Sequence, residues 1–145
     1  MFIQVRPEEK ILIIAISSDR GLCGSFNTNT IKGVLRQIQE KYGSQHARKN
    51  VTVLPIGKKA GDFFTKRGYA VHGDFVGLFH GLTYETASDV ANYLMESFRA
   101  GKYDKIEIVY NQFKNVATQV LIIEQFLPVL PMAAQKKQDV DYIFQ

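Results

Sequence analysis

The run Lys10–Ser17, Lys-Ile-Leu-Ile-Ile-Ala-Ile-Ser, constrains the fold more than any other part of the chain. It is short, unbroken and rich in isoleucine. β-Branched side chains favour an extended backbone, and a strand without polar alternation must be covered on both faces. Such a strand belongs inside a sheet with helices on each side. Gly21 and Gly24 then punctuate a loop.

The remaining chain alternates in kind. Thr28–Tyr42 reads as a helix, with Thr28 or Asn29 as N-cap and Gly43 as the stop. Its apolar face is Ile31, Leu35, Ile38 and Tyr42. Ser44–Asn50 is polar and reads as a solvent loop. Val51–Ile56 is a second strand, and Gly57 turns the chain into a short helix, Lys58–Arg67, which directs Phe63 and Phe64 inward and ends at Gly68. Tyr69–Phe75 is a weaker third strand, interrupted by Gly73 and Asp74. Gly77–Leu82 reads as a loop that buries Leu78 and Phe79.

Thr83–Ala100 has the strongest helical period, through Ala87, Val90, Ala91, Leu94 and Phe98, with Thr83 and Thr86 as caps and Gly101 behind it. Asp104–Asn111 and Ala117–Phe126 are β-rich. The polar link Gln112–Asn115 is too short for a crossover helix, so these strands form an antiparallel hairpin. The order β-α-β-α-β-α-β-β predicts an α/β fold: a Rossmann-like open sheet, mostly parallel, with a final antiparallel edge strand. Residues 1–145 read as a single α/β domain, with a core over 10–126 and a tail over 127–145 that Pro128 and Pro131 keep out of regular structure.

Composition excludes several classes. At 145 residues, 46% hydrophobic and 22% charged, the chain can bury its own core without disulfides. Its lone cysteine, Cys23, has no internal partner. The net charge of +4 is spread along the chain, and the longest basic cluster is Lys136-Lys137. That is not the basic stripe of a nucleic-acid binder, though it suits an acidic protein partner. No apolar run approaches the roughly 18 residues needed to span a bilayer. The charged stretch Arg6–Lys10 behind Met1-Phe2-Ile3 does not read as a signal peptide.

The first β-to-α turn of an open sheet is where many nucleotides bind. Gly21-Leu22-Cys23-Gly24 lacks the G-x-G-x-x-G spacing that lets backbone approach a pyrophosphate, and Gly57-Lys58-Lys59 lacks the upstream glycine and the hydroxyl residue of a phosphate loop. It reads as a glycine-rich turn. The alternative is a stand-alone α/β nucleotide-binding module or enzyme using Gly21–Gly24. Cys23 near a helix N-terminus could be a stabilised thiolate, but His46, His72 and His80 stand at no fixed spacing to it. Neither a zinc pattern nor a marked carboxylate pair occurs, with Glu8-Glu9, Asp139 and Asp141 on exposed ends. No catalytic, cofactor or metal site is expected. Asp19 and Arg20 carry opposite charges beside a strand end. Their spacing leaves two readings open: a local ion pair or helix cap, and an arginine aimed at a partner carboxylate.

The stretch Ile14–Lys32, with Ser18-Asp19-Arg20-Gly21-Leu22-Cys23-Gly24 and Asn27, resembles the gamma subunit of F-type ATP synthases. Ile56-Gly57-Lys58-Lys59, Asp62-Phe63-Phe64 and Arg67-Gly68 are similar to that family's second strand and helix. Asp104-Lys105-Ile106, Val109, Asn111, Phe113 and Gln119 resemble its hairpin, and Leu127-Pro128 with Asp141-Tyr142-Ile143-Phe144 resemble the segment returning to its shaft.

The resemblance implies the α/β domain that the family inserts between two long coiled-coil helices. The sequence then reads as a fragment without those N- and C-terminal helices, and Met1 as an added start. A non-catalytic rotor is implied, coupling ion flow through a membrane ring to ATP synthesis or hydrolysis on the alpha and beta subunits. Asp19, Arg20, Gly21, Leu22, Cys23 and Gly24 would lie near the shaft and face a beta subunit, with Arg20 as the main contact. Asp141, Tyr142, Ile143 and Phe144 would approach the membrane c-ring and the epsilon subunit. The implied location is a peripheral membrane complex on the cytoplasmic face of a bacterial inner membrane.

Overall fold

The computed structural model describes residues 6–20, 25–115 and 117–130. Strand β1 (Ile11–Ile16) lies at the centre of a five-stranded sheet, and Ile11 through Ala15 are buried, as its unbroken apolar run requires. It pairs in parallel with β2 (Val51–Ile56), with Ile11 opposite Val51. A two-residue strand, β3 (Ala70–Val71), lies parallel to β2 at one edge. On its other side β1 pairs in parallel with β4 (Lys105–Asn115). At the far edge β5 (Thr118–Leu127) runs antiparallel to β4, giving the order β3-β2-β1-β4-β5.

Helices cover both faces. Ile11, Ile13 and Ala15 pack with Val34 of α1 (Phe26–Arg36) and with Ala60 and Phe64 of α3 (Lys58–Lys66). Between these helices come a π-helical turn, Gln37–Lys41, and α2 (Gly43–Ala47). Leu12 and Ile14 pack on the opposite face with Val90, Leu94 and Phe98 of α4 (Tyr84–Arg99). The period of two along β1 thus feeds two separate cores. Each large aliphatic side chain so buried contributes about 1.5–3 kcal/mol. Thr83 caps α4 in a reciprocal box: its Oγ1 accepts from Thr86 N–H at 3.2 Å, while Thr86 Oγ1 accepts from Thr83 N–H at 2.8 Å.

Several local expectations are corrected. Ser25, not Thr28 or Asn29, precedes the first turn of α1. The helix begins earlier because Asn27 is drawn to the preceding loop, as detailed below. Gly43 starts α2 instead of ending the structure, so Ser44–Asn50 is not simply a loop. Contacts to the chain's beginning anchor that short helix: Gln45 Nε2 donates to Glu8 O at 2.7 Å, and Arg48 binds Glu9 at 2.6 and 2.8 Å. The third strand shrinks to two residues, its Gly73-Asp74 interruption falling in a turn. Phe79 is exposed, not buried, and lies in a 3-10 turn, Leu78–His80. The hairpin strands run on through Gln112–Asn115, because the backbone ladder continues from Gln112↔Val120 to Asn115↔Thr118 without needing an apolar face. Glu107 is fully buried near the start of β4, which a reading of β-rich composition could not show.

Candidate functional site

Parallel strands that share an edge bring their carboxyl ends together, and the loop after β1 therefore meets the start of α3. The first N–H groups of a helix have no partner within it. Here residues 17–19 supply the partners. Lys58 N–H donates to Asp19 Oδ1 at 2.8 Å, Lys59 N–H to Ser18 O at 3.2 Å, and Ala60 N–H to Ser17 Oγ at 2.9 Å. A carboxylate also complements the positive end of the helix dipole.

Close approach makes this possible. Gly57 has φ +106°, and a Cβ there would lie 2.1 Å from Ser17 O. Ser17 N–H donates to Ile56 O at 2.8 Å, locking β1 to β2 up to the turn. The helix end that could cradle a phosphate at Gly57-Lys58-Lys59 is therefore already occupied by the protein's own oxygens.

Asp19 is committed a second time, since its Oδ2 lies 2.9 Å from His80 Nε2. Asp19 is 23% exposed and His80 72% exposed, so the pair closes the outer rim of the loop. Of the two readings left open, the cap applies to Asp19, and its helix is one 39 residues away in sequence. The backbone of Arg20 is held from the other side: its carbonyl accepts from Ser18 Oγ at 2.6 Å and from Asn27 Nδ2 at 3.0 Å. Asn27 Oδ1 accepts from Ser18 N–H at 2.9 Å. The side chain of Arg20 is exposed. A fixed backbone carrying an exposed guanidinium suits directional recognition of a carboxylate.

Gly21, Leu22, Cys23 and Gly24 lie outside the described residues, as do Asp141, Tyr142, Ile143 and Phe144. Ser17, Lys58 and His80 join the loop network without a sequence signal for it, and Asn27, quoted with the loop only for its resemblance, proves to be its anchor. His80 had no signal, because its partner Asp19 is distant in sequence. Among the described residues no group of three or more His, Cys, Asp or Glu is placed to hold a metal, and no helix is long and apolar enough to cross a membrane.

The topology defines an α/β open-sheet domain with an antiparallel edge strand. The chain belongs to the ATP synthase family, whose model matches residues 1–145. Among the curated relatives it matches are ATP synthase gamma chains. The chain is 40% identical to the ATP synthase gamma chain of Cytophaga hutchinsonii, covering 100% of this chain and 50% of the relative. It is 44% identical to that of Flavobacterium johnsoniae, covering 97% and 47%. It thus spans about half the length of the curated relatives it matches. Its fold matches the central stalk and c-ring structure of the Tetrahymena thermophila mitochondrial ATP synthase, with a TM-score of 0.62 and 24% identity over 98% of this chain and 58% of that one. A Euglena gracilis mitochondrial ATP synthase structure, titled OSCP/F1/c-ring, matches with a TM-score of 0.52 and 26% identity over 92% of this chain and 39% of that one.

Proposed function

We propose that this chain is the α/β domain of a central-stalk gamma subunit, a non-catalytic part of the rotor that couples ion flow to ATP synthesis or hydrolysis. The observation that carries the proposal is 40–44% identity to gamma chains along essentially the whole chain. On this reading the nucleotide chemistry belongs to alpha and beta subunits, and this domain biases their conformational states by contact. Its partners are those subunits, the epsilon subunit and the membrane c-ring. Its place is a peripheral complex on the cytoplasmic face of a bacterial inner membrane. Arg20 is the contact toward a beta subunit, with Asp19 and Gly21–Gly24 shaping its loop. Asp141–Phe144 are assigned to the side of the ring and epsilon.

The exposure of Arg20, beside a carbonyl fixed by two hydrogen bonds, supports its assignment. Arg20→Ala changes the stability of the domain by less than about 0.5 kcal/mol, as expected of an exposed side chain. In a gamma chain assembled into the complete complex, the same substitution lowers ATP-driven rotation and synthesis. Unchanged rotation and synthesis remove Arg20 from the interface. Titration calorimetry of the chain with ATP separates the rotor reading from a nucleotide-binding one: stoichiometric binding in the micromolar range overturns the non-catalytic assignment.

A further inference from the structure

The segment Arg6–Lys10, just ahead of β1, is held by two separate parts of the domain. At the end of α4, Arg6 Nη2 donates to Phe98 O at 2.6 Å and to Tyr103 O at 2.7 Å, and the guanidinium lies 4.1 Å over the Phe98 ring. A cation there answers carbonyls that a helix end leaves without partners. Arg6 Nε also pairs with Asp104 Oδ1 at 3.0 Å. Asp104 N–H donates to Lys10 O at 2.6 Å, and Asp104 Oδ2 accepts from Lys10 N–H at 2.9 Å. At α2, the Glu9 carboxylate accepts from Arg48 at 2.6 and 2.8 Å and from Asn50 Nδ2 at 2.6 Å, while Gln45 Nε2 donates to Glu8 O at 2.7 Å. Helix α2 has no buried residue of its own, so contacts of this kind hold it. Arg6 through Lys10 are half-buried or exposed and belong to neither apolar core.

We propose that Arg6–Lys10 is a releasable strap, which joins the end of α4 to α2 and lets go as one unit while both apolar cores stay closed. Two features carry this. The fastening is polar throughout, so its release breaks hydrogen bonds and uncovers little apolar surface. Local opening units are made of such contacts. Glu9 also ties the two sides together: its backbone N–H reaches Asp104 Oδ2 at 3.3 Å, while its side chain holds Arg48 and Asn50. Tension on the chain ahead of Arg6 therefore loosens α4 and α2 together before it reaches β1. The inference rests on these contacts alone and stands whether or not the domain turns as a rotor.

The test is amide hydrogen exchange, followed by NMR on the full 145-residue chain. Lys10 and Asp104 report the α4 side, Asn50 the α2 side, and Ile13, buried in the central strand, the whole domain. In the wild type, Lys10 and Asp104 exchange about 100-fold or more slowly than unstructured amides, yet faster than Ile13. Arg6→Gln lowers protection about tenfold at Lys10, at Asp104 and at Asn50, which Arg6 does not touch, and leaves Ile13 in place. Glu9→Ala removes only the α2-side bonds of that side chain and lowers the same three amides by a common factor of about three. A fall confined to the side of each substitution overturns the single unit. An equal fall at Ile13 overturns release apart from the core. Wild-type exchange at Lys10 within about threefold of an unstructured amide overturns the strap itself.

Discussion

The two ends of β1 are fastened in different ways. At the carboxyl end the fastening is mainly by fit: Ser17–Asp19 answer the first N–H groups of α3, Asp19 being the one carboxylate among them, and Gly57 lets the backbones touch. At the amino end the fastening is by charge. Arg6 Nε lies 3.0 Å from Asp104 Oδ1, and its Nη2 donates to Phe98 O at 2.6 Å and Tyr103 O at 2.7 Å. Asp104 Oδ2 accepts from Lys10 N–H at 2.9 Å. Farther along, opposite Ile13, buried Glu107 accepts from Gln37 Nε2 at 2.9 Å and Lys41 Nζ at 3.1 Å, with Lys105 Nζ at 3.7 Å. Close approach tolerates no added volume. Ion pairs tolerate volume but respond to protons. The loop that faces outward therefore rests on the end whose geometry is set by sterics.

The strongest way to break that comparison is Gly57→Ala. An alanine must adopt φ +106° and push its Cβ into Ser17 O, which two strands and a helix hold in place. Backbone strain of about 1–3 kcal/mol and overpacking of similar size together give a loss of about 4 kcal/mol. For a domain of this size that lowers Tm by about 10 °C or more. A calorimetric scan in which Gly57→Ala melts within about 2 °C of wild type shows that the strand end yields and is not set by fit.

Asn27→Ala is next. It deletes the acceptor for Ser18 N–H and the donor to Ser18 Oγ and Arg20 O, at 2.9, 2.8 and 3.0 Å. At roughly 1 kcal/mol per net hydrogen bond, the expected loss is about 2–3 kcal/mol by denaturant titration. Amide exchange at Ser18 reports the local part of that loss. Protection unchanged at Ser18 means that the loop is held by something other than Asn27.

What the sequence made legible follows the same division. The unbroken run in β1 announces two covered faces, and the alternating order of elements leads to a mostly parallel sheet with an antiparallel edge strand. Those signals are local and periodic. The cap on α3 is not local: Asp19 and Lys58 are 39 residues apart, and only the parallel pairing of β1 with β2 makes them neighbours. Helix starts are similarly settled from outside. Thr28 and Asn29 are good cap residues by type, yet the chain turns at Ser25 because Asn27 is needed by the loop. Arg20 was legible as an exposed residue, whereas the anchoring of the buried Asn111 amide depends on two acceptors from different elements, Phe26 O and Gln119 Oε1.

The smallest effect, and the sharpest test of the charged end, is the dependence of stability on pH. Hydrogen bonds from Arg48, then Asn50, hold the Glu9 carboxyl below its ordinary value of 4.5. A depressed carboxylate stabilises the fold above its unfolded pKa and loses that contribution as pH falls through the folded one. The acid limb therefore lies below about pH 4.5, and Glu9→Gln flattens it. Burial pushes the Lys105 ammonium below its ordinary 10.5, against the opposing pull of Glu107 and Glu8 and with the push of Lys41. The native state then sheds that proton before the unfolded chain does, so stability rises with pH up to about 10.5. Tyr103 acts in the opposite sense. Burial, then its hydrogen bond with Tyr93, raises the phenol above its ordinary 10.0, so the unfolded chain ionises first and stability falls above that pH. Thermal melts across the range should show Lys105→Met removing the rise and Tyr103→Phe removing the fall, while Asn27→Ala shifts the whole curve down without changing its shape. If Asn27→Ala instead changes the slopes as much as Lys105→Met does, charge and fit are not divided between the two ends of β1.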